Sequence, residues 1–231
     1  PEISDAALDS LKHELFKLEQ QFPDLTTLDS PTQRVGGQPL AKFEKVKHKA
    51  PMLSLEDAFS PDELKEWEER IKKKLIQDTK YKIQDIKIDY FTELKVDGFA
   101  ISLVYKNGVF IQGSTRGDGR IGEDVTQNLK TISSIPLRLE IHPPPLFLKV
   151  VGGLPSLEIA QKALALIKKG EIEVRGEVYM TTKSFEKVNQ EREKKGEPLY
   201  ANPRNTAAGS IRRLNSRVAA NRHLNFLAYD I

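Results

Sequence analysis

Phe99-Ala100-Ile101-Ser102-Leu103-Val104-Tyr105, then Lys106-Asn107-Gly108, then Val109-Phe110-Ile111-Gln112-Gly113-Ser114, is the clearest structural instruction in the chain. Two runs rich in β-formers flank an Asn-Gly pair. That pair is the strongest short-range hairpin signal, because both central residues of a type I′ turn need positive φ. Upstream, Lys87 to Leu94 is also rich in β-formers and predicts a strand. Downstream, Thr115-Arg116-Gly117-Asp118-Gly119 predicts a glycine-rich turn, and residues 123–131 a short helix. Leu137 to Ile141 predicts a further strand before the rigid break at Pro143-Pro144-Pro145. Ser156 to Lys169 and Thr182 to Lys195 predict helices ended by Gly170 and Gly196. Ile172 to Met180 and Leu224 to Ile231 predict strands, and Asn202-Pro203 caps a short arginine-bearing helix.

The N-terminal part is helical in pattern. Ser4 predicts the N-cap of a helix reaching about Gln21, with Leu8, Leu11, Leu15, Leu18 and Phe22 on a face that should pack. Residues 23–53 lose this period and are punctuated by proline and glycine, as in a linker. Ser60-Pro61-Asp62-Glu63 opens a second helix with a capping box, and Leu64, Trp67, Ile71 and Leu75 form a stripe expected in a core. Helices first, then antiparallel hairpins with helices between strands, make this an α+β chain and not a doubly wound one. Neither the G-x-x-x-x-G-K-[ST] loop nor the G-x-G-x-x-G fingerprint is present.

Composition narrows the class. The chain has 231 residues, 39% hydrophobic and 30% charged, with a net charge of +3, which suits one globular core with a small appended unit. It contains no cysteine, which excludes disulfides and cysteine-based zinc sites within it. No apolar run approaches the roughly 18 residues of a membrane span, so no membrane partner is expected. The charge is unevenly spread: from Pro198 to Tyr229 there is no acid, while Arg204, Arg212, Arg213, Arg217 and Arg222 are all present. Such a segment is either a phosphate-binding face or a solvated basic helix.

Candidate chemistry lies in four clusters. Glu93, Lys95 and Asp97 alternate along a predicted strand, as do Glu173, Arg175 and Glu177, so each set shares a face. Arg116 stands alone in the glycine-rich turn, and Ala201 to Arg212 carries arginines. The stripes are either solvent-facing or the floor of a polar pocket. A lysine amine kept partly neutral beside phosphates and carboxylates is a nucleophile. Acids for sugar hydroxyls, a lysine for phosphorus and arginines for phosphates would suit a nucleotide.

These residues carry a resemblance. Glu93-x-Lys95-x-Asp97-Gly98 and the hairpin after it resemble the adenylation domain of bacterial NAD-dependent DNA ligases. So do Thr115-Arg116-Gly117-Asp118-Gly119 through Asn128, Ser30 to Gly37, Pro51 to Leu55, Glu173 to Met180, Ala201 to Arg212 and Phe226 to Tyr229. The resemblance implies an antiparallel-sheet nucleotidyltransferase core, ATP-grasp-like, over residues 31–231, behind a helical remnant of the nicotinamide-mononucleotide unit at 1–30. It implies that Lys95 attacks NAD to form ligase-AMP, and that AMP passes to the 5′-phosphate of a DNA nick, which the 3′-hydroxyl then seals. Asp5, Asp9, Ser54, Leu55, Glu93, Asp97, Arg116 and Glu177 match cofactor-binding positions. Arg204 and Arg212 match arginines that grip phosphates of the cofactor or the nick. NAD, Mg2+ (or Mn2+) and nicked double-stranded DNA are the implied cofactors and partners; no residue of this chain is assigned to the metal. A monomer acting in the bacterial cytoplasm on nucleoid DNA, in replication and repair, is expected.

The match departs from the family at Leu8, where a tyrosine is usual, and the later lysine-bearing motifs and cysteine-containing parts are not in the sequence. A ligase fragment, inactive or partly active alone, is therefore the expectation. A non-catalytic module binding adenine nucleotides or DNA phosphates is the alternative. An ATP-dependent ligase or RNA-capping relative shares the Lys-x-Asp-Gly element, but Ser30 to Gly37 and Thr115 to Asn128 match the NAD-dependent group.

Overall fold

A computed structural model describes residues 5–35, 42–55, 57–77, 88–139, 165 and 168–231. They fall into two compact units, one drawn from Pro1–Pro51 and Val96–Ile231, the other from Met52–Lys95.

The first unit is built on the hairpin. Strand β2 (Phe99–Lys106) and β3 (Val109–Thr115) pair antiparallel through Asn107 and Gly108, whose φ values of 52° and 78° are those a type I′ turn requires. On its other side β2 pairs with β5 (Glu171–Tyr179), which pairs with β6 (Asn225–Asp230), giving an antiparallel sheet of order β3-β2-β5-β6. A separate ribbon joins β1 (Lys45–Lys47) to β4 (Ile121–Glu123).

Side-chain alternation sorts the large sheet into two faces. Ile101, Leu103 and Tyr105 of β2 and Val174 and Val178 of β5 point into the core. Over them pack Leu129 of α3 (Thr126–Lys130), Ile132, Ile135 and Ile211 of α5 (Pro203–Ile211). Arg34 closes this layer by donating to the carbonyls of Lys130 (3.2 Å), Ile132 (3.0 Å) and Ile135 (3.1 Å), at the end of α3 and in the turn that follows it. The opposite face carries Ser102, Glu173, Arg175 and Glu177.

Most elements begin and end where their caps stand. Helix α4 (Thr182–Lys194) starts at Thr181, whose side chain accepts from Ser184 N, and is followed by Gly196 at φ 67°. Asn202 Oδ1 accepts from Asn205 N at 2.8 Å and opens α5. Helix α6 (Ser216–Ala220), capped by Asn215, had no expectation attached to it.

Several expectations are corrected. Residues 88–97 form no strand, and Lys87 lies outside the described residues. Strand-forming residues need a partner edge, and none of the described ladders includes this segment. Glu93, Lys95 and Asp97 therefore do not share a strand face. Leu137 to Leu139 follows β3 only through a bridge from Arg138 to Val109; the rest of that predicted strand, the triple proline and most of the 156–169 helix lie outside the described residues. Helix α1 (Asp5–Gln21) forms as expected, but Leu11, Leu18 and Phe22 of its apolar face are exposed.

The second unit holds α2 (Pro61–Gln77). Ser60 Oγ accepts from Glu63 N (3.2 Å), and Glu63 accepts from Phe59 N (2.8 Å), a capping box that closes one residue early. Leu64, Trp67 and Leu75 are exposed, so the stripe expected in a core is not one.

Candidate nucleotide-binding face

The polar face of the sheet is organised around β5. Ser102 donates to Glu173 Oε1 (2.8 Å), and Arg175 Nε donates to the same oxygen (2.9 Å). Ser102 stands opposite Arg175 and diagonal to Glu173, so the register brings the three together. Burial alone would raise the Glu173 carboxyl, but the hydrogen bonds from Arg175 and Ser102 outweigh it and hold it below its ordinary value. The rest of the Arg175 fork donates to Pro51 O (3.1 Å) and Ala50 O (2.8 Å), pinning that segment.

Glu177 continues the stripe, half-buried. The register slips between Arg175 and Gly176, where Ala228 pairs with Gly176 but Asp230, not Tyr229, pairs with Arg175. Leu227 stands opposite Glu177, so Tyr229, two residues on, shares the face of the polar stripe. Partial burial pushes its phenol up, as do Glu177 and Asp230, while Arg116 and Arg175 pull it down. Tyr229, Glu177, Arg116 and Arg175 thus sense one another's charge. Tyr229 remains half-exposed.

Arg116 reaches this group from a tightly closed turn. Its N donates to Ala100 O (3.2 Å) and its carbonyl accepts from Gly119 N (3.0 Å). Asp118 Oδ1 accepts from Arg120 N and Ile121 N, both at 2.8 Å, and these bonds hold its carboxyl below the usual range. Gly117, at φ 58°, has no room for a side chain: a Cβ there would lie 1.8 Å from Ile121 O.

The predicted residues fall into separate groups. Arg116 and Glu177 both act electrostatically on Tyr229. Lys95 and Glu93 are exposed in the loop before Val96, and Ser54 and Leu55 are exposed in the segment before α2. The side chains of Asp5 and Asp9 lie outside what the structure describes. Arg204 and Arg212 are exposed but not open: Arg204 pairs with Asp97 at 3.4 Å, and Arg212 forks onto Glu123 at 2.8 and 3.2 Å. The Arg212 hydrogen bond, ahead of an opposing burial effect, lowers the Glu123 carboxyl.

Tyr229 and Glu123 were not among the predicted site residues, although both lie inside quoted motifs. Tyr229 joins the face through the pairing of β6 with β5, and the Glu123–Arg212 pair spans 89 positions. Among the described residues no cluster of three His, Asp or Glu could hold a metal ion, and no helix is long and apolar enough to cross a membrane.

The sequence of the chain matches a known group of proteins. The profile of the NAD-dependent DNA ligase adenylation domain matches residues 40–156 and 157–231, and that of the DNA ligase-like, N-terminal NAD+-binding domain matches residues 1–36. The chain is 48% identical to a DNA ligase of Brevibacillus brevis over 231 residues, covering 100% of this chain and 29% of that protein. It is 49% identical to a DNA ligase of Geotalea daltonii (99% and 30%) and 48% identical to one of Geobacter sulfurreducens (99% and 30%). It therefore spans less than a third of the length of the curated relatives it matches.

Proposed function

The chain belongs to the NAD-dependent DNA ligase adenylation-domain family, and from that premise we propose that it is the nucleotide-binding, AMP-accepting part of a DNA ligase. The observation that carries this is the polar face of β5, where Glu173, Arg175 and Glu177 share one side of the sheet and the charges of Glu177, Arg116 and Arg175 act on the partly buried Tyr229 of the neighbouring strand. An aromatic ring beside a carboxylate and a guanidinium offers a stacking surface for a purine, an acceptor for hydroxyl or amino groups, and a cation for phosphate.

In this reading the neutral Nζ of Lys95 attacks the α-phosphorus of NAD. A nitrogen–phosphorus bond forms, the bond to nicotinamide mononucleotide breaks, and that group departs with the electron pair while the amine proton is lost to water. AMP stays on Lys95 as a phosphoramidate. It then passes to the 5′-phosphate of a nicked duplex, which frees Lys95, and the 3′-hydroxyl displaces AMP to seal the strand. Glu93, Asp97, Ser54, Leu55, Arg116 and Glu177 serve as cofactor contacts, Asp5 and Asp9 serve the nicotinamide half, and Arg204 and Arg212 hold phosphates. Phosphoryl transfer of this kind rests on positioning and charge neutralisation.

A divalent cation, Mg2+ or Mn2+, would supply further neutralisation. No residue of this chain is assigned to it. The nucleotidyltransferase (ATP-grasp-like) fold, the division into a helical remnant at 1–30 and a core at 31–231, the monomeric state and action on nucleoid DNA in replication and repair belong to the same proposal.

Incubating the full-length protein with NAD, digesting it and locating AMP by mass spectrometry tests this reading; adduct on a lysine other than Lys95 refutes it. A second reading, a non-catalytic adenine-nucleotide module, draws on the fact that Arg116, Glu177 and Tyr229 all lie in a different compact unit from Lys95. Binding of NAD and AMP without covalent adduct would favour it.

A further inference from the structure

We propose that His48 is a positioning residue for Arg116, fixing it for cofactor binding; this rests on the reading of Arg116 as a cofactor contact. His48 is buried, directly after β1. Its backbone N donates to Arg120 O (2.9 Å) and its ring Nε2 lies 3.1 Å from Arg116 O. A carbonyl only accepts, so the ring holds its proton on Nε2 and donates. One residue thereby grips the turn on both sides of Gly117-Asp118-Gly119.

The surroundings are shaped to this contact. A Cβ on Gly122 would come within 3.2 Å of His48 Nε2 and 1.8 Å of Thr115 O, so only glycine lets β4 pass there. At the other end of the short strap that begins at His48, Arg175 holds the carbonyls of Ala50 and Pro51. The strap is tied to the turn at one end and to β5 at the other. The Arg116 carbonyl thus accepts from Gly119 N within the turn and from His48 across the chain. Without the ring donor, the turn keeps its internal bonds and the backbone tie from His48 N to Arg120 O, but the Arg116 carbonyl loses its bond across the chain, so the origin of the Arg116 side chain is held less firmly. Such a loss lowers cofactor affinity and leaves the phosphorus chemistry at Lys95 untouched.

The test is NAD-dependent self-adenylation of the full-length protein, measured over a range of NAD concentrations at a temperature well below unfolding. His48→Phe keeps the ring and removes the donor; His48→Gln supplies an amide N–H near the Nε2 position. Loss of one such hydrogen bond should raise the KM for NAD about tenfold in H48F with kcat nearly unchanged. H48Q should recover most of that loss, which replacing volume alone would not do. The double variant H48F/R116A should match R116A, because a residue acting only through Arg116 adds nothing once Arg116 is gone. If H48F does not fold, H48A is read in the same assay. An unchanged KM in the His48 variants, or losses that multiply in the double variant, overturns the proposal. An R116A variant with wild-type KM instead overturns the reading of Arg116 as a cofactor contact, and the proposal falls with it.

Discussion

Replacing Asn128 with alanine tests how the arginine-bearing helix is held. Asn128 is fully buried in α3, and its Nδ2 donates to the carbonyls of Ile211 and Arg213, each at 2.7 Å. These carbonyls flank Arg212 at the end of α5, where helix acceptors lose their own partners. The bond to Ile211 is buried, and leaving that acceptor unpaired costs about 1–3 kcal/mol. The Arg213 bond is only partly buried, so water replaces it at about 0.5–1.5 kcal/mol. Against this, alanine also removes Oδ1, a buried atom without a hydrogen-bond partner, which offsets about 1 kcal/mol. Asn128→Ala should therefore destabilise by about 1–3 kcal/mol. Urea unfolding at equilibrium measures this as a lower midpoint with unchanged slope. A loss below about 0.5 kcal/mol would mean that α5 is held by its core residues Ala207 and Ile211 alone, and the reasoning would be refuted.

Two further predictions concern the pairs at the surface. Arg204→Ala and Arg212→Ala in the full-length protein should impair nick sealing far more than stability, and each should reduce the salt dependence of nick binding by about one phosphate contact; normal sealing by both would make the segment a solvated helix. Glu123→Gln should tighten nick binding, because a neutral amide competes less with phosphate for Arg212. It should also flatten the acid limb of stability. Glu123 is lowered from 4.5 in the folded state, so its contribution is present above that value and is lost as pH falls through the folded pKa. Denaturant midpoints across that window check the sign; an acid limb as steep as in the wild type contradicts it.

What the sequence could reveal depended on the range of the interaction. The hairpin was legible because Asn107-Gly108 dictates its turn without help from elsewhere. Caps at Ser60 and Asn202 were local in the same sense, and the period-two stripe of β5 placed Glu173, Arg175 and Glu177 on one face. Residues 88–97 misled for the complementary reason. Their composition favours a strand, but a strand exists only where an edge receives it, and the described ladders of β2, β3, β5 and β6 do not involve them. Tyr229 needed β5 beside β6 to join the polar face, and His48 needed the turn at Arg116, 68 positions away. Neither follows from composition or period.

The arginines show the same division in chemical form. An acid-free segment reads either as a bare phosphate surface or as a basic helix bathed in water. The structure presents oriented guanidinium groups, two of them already answered by carboxylates from elsewhere in the chain: Asp97 for Arg204 and Glu123 for Arg212. Both arginines are more than half exposed, and ion pairs of that kind are worth about 0–1 kcal/mol. Exchanging such a carboxylate for a phosphate therefore costs little. A doubly forked carboxylate also holds the guanidinium in the geometry that a phosphate needs. The pairs do not argue against phosphate binding. They keep two long side chains ordered in advance, which lowers the entropy lost when a phosphate takes the carboxylate's place.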